Sequence, residues 1–544
     1  MARRAFRVLA LIAVLSFIST LWCAEKKSLT ILHTNDTHST LFPYGPSGKW
    51  AGISRMSRKI KEIKAGGENV LVLNSGDVFV GTFEFNKYRG YSELKIMEGL
   101  YDAMGLGNHE FDLGIEGLLG SLNGKTSGGQ PIMLPIICAN LNLDSAPALR
   151  NFVKPFIIKQ VGGLRVGLTG IVETRHLDFS AEVIPLLSDP LKAAGEAVAI
   201  LRNIEHADIV ICLSHLGKRD DVGRLSQVPG IDIIIGGHSH DALFQPVVAN
   251  GKIIVQAGEF GRYLGELTVE YDGKQVKLTR HRLYSIDRKV GNDPALTPVL
   301  DSLRAGIVGD PRYGPVYTKQ VATAAQDLEE RWPPDKPERD TALGNLITDG
   351  IRKAATEAGY EVDFALEANG YIGHRIYKGK VVGNDVMRAV PYGYDPATGL
   401  GFKIDVVRLA GAQILAGLEY SVSMVEDTDD VSMQVSGLTF EYDSSRKPIG
   451  PDKLIGELSR GGRGRVDPRS VKINGKPMDL KEVYGVALTN GLHKFMKALG
   501  LEPLASKSTE ISEYMAVRDY MAGLRTLKYT AEGRIIDTAS KAKR

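Results

Sequence analysis

Gly107-Asn108-His109-Glu110-Phe111-Asp112 breaks an otherwise apolar pattern and offers an amide oxygen, an imidazole and a carboxylate within a few residues. Alone, such a run reads as a surface loop. Four other stretches change that reading, because each follows a β-rich apolar run and brings complementary metal ligands: Asp36-Thr37-His38, Gly76-Asp77, His215 and His238-Ser239-His240. A single Asp-x-His at a strand end is more often a polar-capped turn, and His-Ser-His can be a glycine-supported one. Five such stretches in one region describe a single two-metal hydrolytic centre.

Outward from these stretches, the chain from 28 to 287 alternates short β-branched runs with helix-compatible segments. The runs are Leu29–Leu32, Val70–Leu73, Ile132–Cys138, Leu164–Leu168, Ile209–Leu213, Ile231–Ile235 and Ile253–Gln256. Between them, Ile53, Met56, Ile60 and Ile63, and again Leu191, Ala194, Val198 and Leu201, fall at helical spacing. This alternation predicts an α/β domain with buried strands, whose carboxyl edges are where ligands gather. Residues 288–315 read as a charged, Gly- and Pro-containing linker. A second, α+β pattern occupies 316–530, where Asp340-Thr341 caps a helix carrying Leu343, Ile347, Ile351 and Ala354. Strands are expected at Asp363–Leu366, Val406–Leu409 and Leu438–Tyr442, a loop at Gly461-Gly462-Arg463-Gly464, and a tail at 531–544.

Two divalent cations held close together need a carboxylate that bridges them, because an anionic oxygen screens their repulsion and fixes their separation. Asp77 suits that role. Asp36, His38 and His240 then complete one site, and Asn108, His215 and His238 the other. Imidazole, carboxylate and amide together suit manganese, zinc or iron better than magnesium or calcium. A pair about 3.5–4 Å apart makes a bridging hydroxide from water near neutral pH and clamps a phosphoryl oxygen. His109 sits beside a ligand, placed to stabilise charge or protonate a leaving oxygen. Asp112, three residues on, is placed to orient its ring.

Composition agrees with a soluble globular protein: 43% of residues are hydrophobic and 24% charged. At 544 residues the chain exceeds one ordinary core, so two domains are expected. The first 24 residues differ. Arg3, Arg4 and Arg7 precede an uncharged, mostly apolar run from Val8 to Trp22, the layout of a bacterial export signal leading to the periplasm or cell surface. Arg3-Arg4-Ala5-Phe6 is similar to the start of a twin-arginine signal, and Cys23 is a candidate for lipid attachment. Without that segment the formal net charge falls from +3 to zero, so no nucleic-acid surface is indicated. Cys138 and Cys212 lie in apolar runs and read as core residues.

These motifs resemble the calcineurin-like metallophosphoesterases, and from Leu29 to Thr530 the chain resembles the bacterial secreted 5′-nucleotidase family. The resemblance implies a four-layer α/β/β/α sandwich joined to a 5′-nucleotidase-like C-terminal substrate-binding domain. It carries the metal and catalytic roles onto the residues above, and further matches lie at Leu343-Gly344-Asn345-Leu346-Ile347-Thr348-Asp349 and Val435-Ser436-Gly437-Leu438. It implies that Arg375, after Asn369-Gly370, and Arg339 bind phosphate. Tyr392 and Tyr394 of Pro391-Tyr392-Gly393-Tyr394 take the place of a turn whose ring stacks on a nucleobase. The family's Gly-Gly-Asp-Gly-Tyr segment is replaced by Thr489-Asn490-Gly491-Leu492-His493-Lys494-Phe495.

The expected function is hydrolysis of nucleotide phosphomonoesters of the 5′-nucleotidase type. A 2′,3′-cyclic nucleotide phosphodiesterase/3′-nucleotidase or a UDP-sugar hydrolase would use the same parts. A sulfur-ester thiohydrolase and a non-catalytic binding module are minor alternatives. The expected partner is a small nucleotide, and membrane contact runs only through the signal or a lipid anchor.

Overall fold

Apolar residues that cluster in short runs here become buried strands, and those that recur every three or four residues become helices packed on them. The computed structural model describes residues 26–541, apart from 126–127, 175–181, 334, 427 and 450–463. The expected export signal at 1–24, with Cys23, and most of the Gly461–Gly464 loop lie outside the described residues. Among the described residues no helix is long and apolar enough to cross a membrane.

The N-terminal half contains strands β1 (Lys27–Thr34), β2 (Val70–Asn74), β3 (Ala103–Gly105), β4 (Ile136–Ile137) and β5 (Val153–Lys154). It continues with β6 (Phe156–Val161), β7 (Leu164–Val172), β8 (Ile209–His215), β9 (Ile233–Ile235), β10 (Val247–Ala249), β11 (Lys252–Val255), β12 (Tyr263–Tyr271) and β13 (Val276–Ser285). They form two sheets, ordered β13-β12-β1-β2-β3-β4-β5 and β10-β11-β9-β8-β7-β6. Leu29, Ile31, Leu71 and Leu73 of the first sheet share one core with Val166, Ile209, Ile211 and Ile233 of the second. The outer face of the first sheet is covered by α1 (Ile53–Gly66) through Met56 and Ile60. The outer face of the second is covered by α3 (Pro190–Asn203) through Ala194, Val198 and Leu201. The result is a four-layer α/β/β/α sandwich. Cys138 and Cys212 are buried in it, unpaired.

Two differences from expectation have simple causes. The run Ile132–Cys138 pairs only at Ile136–Ile137, because Pro131 and Pro135 interrupt it and proline has no N–H to donate. Strands β12 and β13 had no clear sequence signal. The outer strand β13 carries Arg280, His281 and Arg282 at the sheet edge and is recruited by its register with β12, itself antiparallel to β1.

In the C-terminal half a five-stranded sheet runs in the order Met433–Ser436, Phe364–Ala368, Val483–Thr489, Lys403–Ala410, Ala505–Ser512. Helix α5 (Ala342–Glu357) begins where the Thr341 hydroxyl accepts the Gly344 N–H at 2.9 Å, and it buries Leu343, Leu346, Ile347 and Ile351. Helix α6 (Glu513–Leu524) adds Val517 and Met521 to the same core.

The 288–315 stretch is more structured than a linker of its composition suggests. It contains α4 (Thr297–Val308), and both Ile307 and Tyr313 are fully buried in the C-terminal core. A segment of the N-terminal half joins them. Helix α2 (Phe83–Tyr88) inserts Phe83 into that core, its ring 5.3 Å from those of Tyr313 and Tyr514. Asn86 donates to the Gly399 carbonyl at 2.9 Å, and the Tyr317 hydroxyl donates to Glu84. Phe83 is thus a plug between the halves. Phe83→Ala is expected to cost about 3–5 kcal/mol, as for other buried phenylalanines, and to lower the midpoint of chemical denaturation. An unchanged midpoint would mean that the halves do not depend on the plug.

Candidate metal centre

The ligand-bearing turns all leave the carboxyl ends of parallel strands. β1 runs into Asp36 and His38, β2 into Asp77, and β3 into Asn108 and His109, while β8 ends on His215 and β9 leads to His238 and His240. The sandwich brings the first three turns against the last two. Two groups result, Asp36 with His38 and His240, and Asp77 with His215 and His238, the ligand atoms within each lying no more than 4.8 Å apart. Asn108 Oδ1 stands 3.0 Å from His238 Nδ1, so the amide joins the second group.

Five of these residues adopt left-handed backbone: Asp36 (φ 50°), His38 (45°), Asp77 (52°), His238 (72°) and His240 (58°). Such conformations are costly for residues other than glycine, and they mark positions that the surrounding structure over-determines. Gly76 (φ 87°) and Gly107 supply the remaining clearance. A Cβ on Gly107 would lie 2.2 Å from Asp77 Oδ1, and one on Gly76 would lie 2.4 Å from the Gly107 nitrogen.

Hydrogen bonds behind the ligands fix which nitrogen each ring presents. His215 Nδ1 donates to the Ser75 carbonyl at 2.6 Å and His38 Nδ1 to the Phe79 carbonyl at 3.2 Å, while His240 Nδ1 is paired with Glu259. Their Nε2 atoms therefore turn inward. His38 and His240 bring those atoms within 3.1 Å of each other. His215 Nε2 is 2.9 Å from Asp77 Oδ2 and 3.7 Å from Asp36 Oδ1 without the alignment of a hydrogen bond. Lone pairs converging on shared points are the donor set a pair of cations requires, so the residues fit the metals that the sequence implied.

Electrostatics point the same way. Burial opposes charge on His215 and His240, yet the surrounding carboxylates, Asp77 for the first and Glu259 with Asp36 for the second, lift them to about 9 and about 10. Burial likewise opposes ionisation of Asp36 and Asp77, yet the histidines hold both below the usual carboxylate range. A field that would hold protons on buried imidazoles equally favours divalent cations in their place.

His109 faces this pair. Its Nδ1 lies 3.0 Å from Asp112 Oδ2, which leaves Nε2 turned toward Asp77 Oδ2 at 4.0 Å. Tyr392 from the C-terminal half lies nearly parallel to the His109 ring at 5.1 Å. It also lines a cleft of about 470 Å³ between the halves, together with His238, His240, Glu259, Arg331 and Asp429.

The other expected substrate residues are not among those lining this cleft, although Arg375 pairs with Glu330, which is. Arg339 is bonded to Asp537 and Ser540 within the C-terminal half, and Arg375 is paired with Glu329 (2.7 Å) and Glu330 (3.1 Å). Tyr394 stacks under Arg89 and does not line the cleft. Two guanidinium groups do line it: Arg219 from the N-terminal half and, from the C-terminal half, Arg331, 3.8 Å from Glu259.

Sequence reasoning assigned no role to Glu110 or Glu259. Glu110 is buried and accepts backbone N–H groups from Gly107 (2.6 Å), Asp77 (3.0 Å), Val78 (2.8 Å) and Phe79 (3.2 Å). Burial and Asp77 push its carboxyl up to about 7. Its place inside the Asn108 motif was a signal. Glu259, set between Gly258 and Phe260-Gly261 just past β11, gave a weaker one.

A four-layer sandwich with imidazole and carboxylate groups converging at its strand ends defines a metallophosphoesterase. Comparison with known proteins agrees. Residues 29–242 match the family model of calcineurin-like phosphoesterases, and residues 320–495 match that of the 5′-nucleotidase C-terminal domain. The chain belongs to the 5′-nucleotidase family. It is 30% identical to the trifunctional nucleotide phosphoesterase protein YfkN of Bacillus subtilis over 77% of its own length, which spans 29% of that protein. It is 26% identical to the 5′-nucleotidase of Rattus norvegicus, covering 96% of this chain and 93% of the relative. The structure of a 5′-nucleotidase precursor from Thermus thermophilus superposes with a TM-score of 0.79 at 29% identity, over 94% of this chain and 99% of that one.

Because Glu110 ties the Asp77 and Asn108 turns together, Glu110→Gln is expected to weaken metal binding about 10–100-fold, the usual effect of losing an outer-shell partner. Metal content after dialysis checks this, and wild-type retention would refute the role.

Proposed function

We propose that the protein is an exported phosphoesterase that hydrolyses nucleotide phosphomonoesters in the manner of a 5′-nucleotidase. One observation carries this reading: the two ligand groups and His109 meet under a cleft whose opposite wall presents an aromatic ring, Tyr392, and a guanidinium, Arg331. The leader-like pattern at 1–24 supports export. Manganese, zinc or iron would be held by Asp36, His38 and His240 on one side and by Asn108, His215 and His238 on the other, with Asp77 between. When bound, such a pair supplies Lewis acidity and lowers the pKa of water.

The remaining roles belong to the chain. Asp112 accepts the Nδ1–H of His109 and keeps Nε2 directed into the cleft, where a proton on it stabilises the phosphoryl oxygens or passes to the leaving oxygen. Glu110 and Glu259 hold the turns and the His240 ring in place. Tyr392 offers its face to a base, and Arg331 offers a cation to the phosphate or its neighbour. Of the C-terminal arginines considered, Arg331 lines the cleft whereas Arg339 and Arg375 do not, so Arg331 is the first candidate for that contact.

Two measurements test the reading. His109→Ala should lower kcat about 10²–10⁴-fold, the usual worth of a general acid, with metal content kept. Unchanged phosphate release would remove His109 from the chemistry. Tyr392→Ala should raise KM for a nucleoside monophosphate about tenfold or more, given stacking worth about 1–3 kcal/mol per base, and leave KM for a simple aryl phosphate unaltered. Equal effects on both would deny a base site. Cyclic nucleotides, a nucleotide sugar and a sulfur ester belong in the same panel, and preference for one of them would reassign the substrate.

A further inference from the structure

A second recess, of about 770 Å³, opens where the two halves meet, and it shares no lining residue with the metal cleft. Lys87, Tyr88, Arg89, Leu113 and Gly117 line it from the N-terminal half, Arg312 from the 288–315 stretch, and Tyr394 from the C-terminal half. Its charge is one-sided. Lys87 Nζ and Arg312 Nη2 share a single carboxylate, Asp310, at 2.8 and 3.0 Å. The guanidinium of Arg89 has no carboxylate partner among the described residues. Instead it lies flat against Tyr394, with Cζ 3.2 Å from the ring centroid.

Arg89 is held there firmly. Its backbone is left-handed (φ 56°), its N–H donates to the Phe85 carbonyl at 2.6 Å, and its carbonyl accepts the Ser121 hydroxyl. Gly90 behind it is pressed onto the ring of Phe79. Burial, with Arg312 nearby, lowers the Arg89 guanidinium to about 10. A fixed, partly desolvated cation without a counter-charge is complemented by an anion. Three cations against one carboxylate leave about two positive charges, which matches a phosphate group at neutral pH (about −1.5 to −2) and exceeds what a monocarboxylate neutralises.

We propose that this recess is a second ligand site, separate from the metal centre, that takes a phosphate-bearing anion between Arg89, Lys87 and Arg312. Because the cradle draws on both halves, an occupant also ties them together. Two sources share this chemistry, free inorganic phosphate and the phosphate of a nucleotide. The site does not depend on the catalytic reading above.

Calorimetric titration of the metal-loaded full chain tests it, once with inorganic phosphate and once with a non-hydrolysable nucleoside phosphonate. The variant Arg89→Met keeps an apolar stem against Tyr394 and removes the charge, whereas Arg89→Lys keeps the charge. The expected result is that Arg89→Met lowers the number of anions bound per chain by one, that Arg89→Lys keeps that number with weaker binding, and that both retain wild-type metal content and turnover of an aryl phosphate. Loss of the equivalent with phosphate identifies the free ion as the occupant, and loss with the phosphonate alone identifies a nucleotide. If Arg89→Met disturbs the near-ultraviolet circular dichroism, Arg312→Gln carries the same comparison. Stoichiometry unchanged by these variants for both ligands overturns the proposal.

Discussion

Asp36 and Asp77 are both buried, and Asp36 Oδ1 and Asp77 Oδ2 stand 3.7 and 2.9 Å from the same nitrogen of His215. Two carboxylates so placed repel each other and lose their hydration, an arrangement that stands only with positive charge between them. Much of the N-terminal half serves this constraint. Left-handed turns aim the ligands, Glu110 gathers the N–H groups of the Asp77 and Gly107 turns, and backbone carbonyls orient His38 and His215. Each device costs stability locally, and the two-sheet core beneath offsets it.

The sandwich explains why ligands so far apart in the chain meet. Parallel strands deliver all their following turns to one edge, and stacking two sheets face to face sets the β1, β2 and β3 turns opposite those of β8 and β9. The C-terminal half then covers that edge. Its hold on the first half is not confined to a flexible connector: Phe83 is buried among C-terminal aromatics, and Tyr44, Phe260, His374 and Tyr377 form a second aromatic contact across the interface. Phe260 also touches the rings of His38 and His240, and Glu259 lies between His240 and Arg331, so the C-terminal half bears on the metal ligands through both side chains.

Much of this was legible along the chain because the signals are local. A strand buried on both faces needs an unbroken apolar run, and a ligand turn needs its polar groups within a few residues of the strand end. Glycines 76 and 107 had to appear where side chains would collide with Asp77 or its neighbouring turn. Signals that depend on a distant partner were weaker. Strand β13 is half polar and exists through its pairing with β12, and Glu259 takes its meaning from His240. Arginines were the least legible: Arg339 and Arg375 lie in the stretches that family resemblance marks, yet their carboxylate partners come from other segments, and the cleft is lined by Arg219 and Arg331.

The sequence by itself determined the α/β class of the first half, the α+β character of the second, and the identity of the stretches rich in metal ligands, since hydrophobic period and ligand chemistry are properties of neighbouring residues. Tertiary structure alone decided which nitrogen of each histidine turns inward, which arginines reach the cleft, that Tyr392 meets His109 while Tyr394 meets Arg89, and that Phe83 joins the two halves. Those outcomes depend on distance and direction between segments tens to hundreds of residues apart, and they are set only when the cores form and pack.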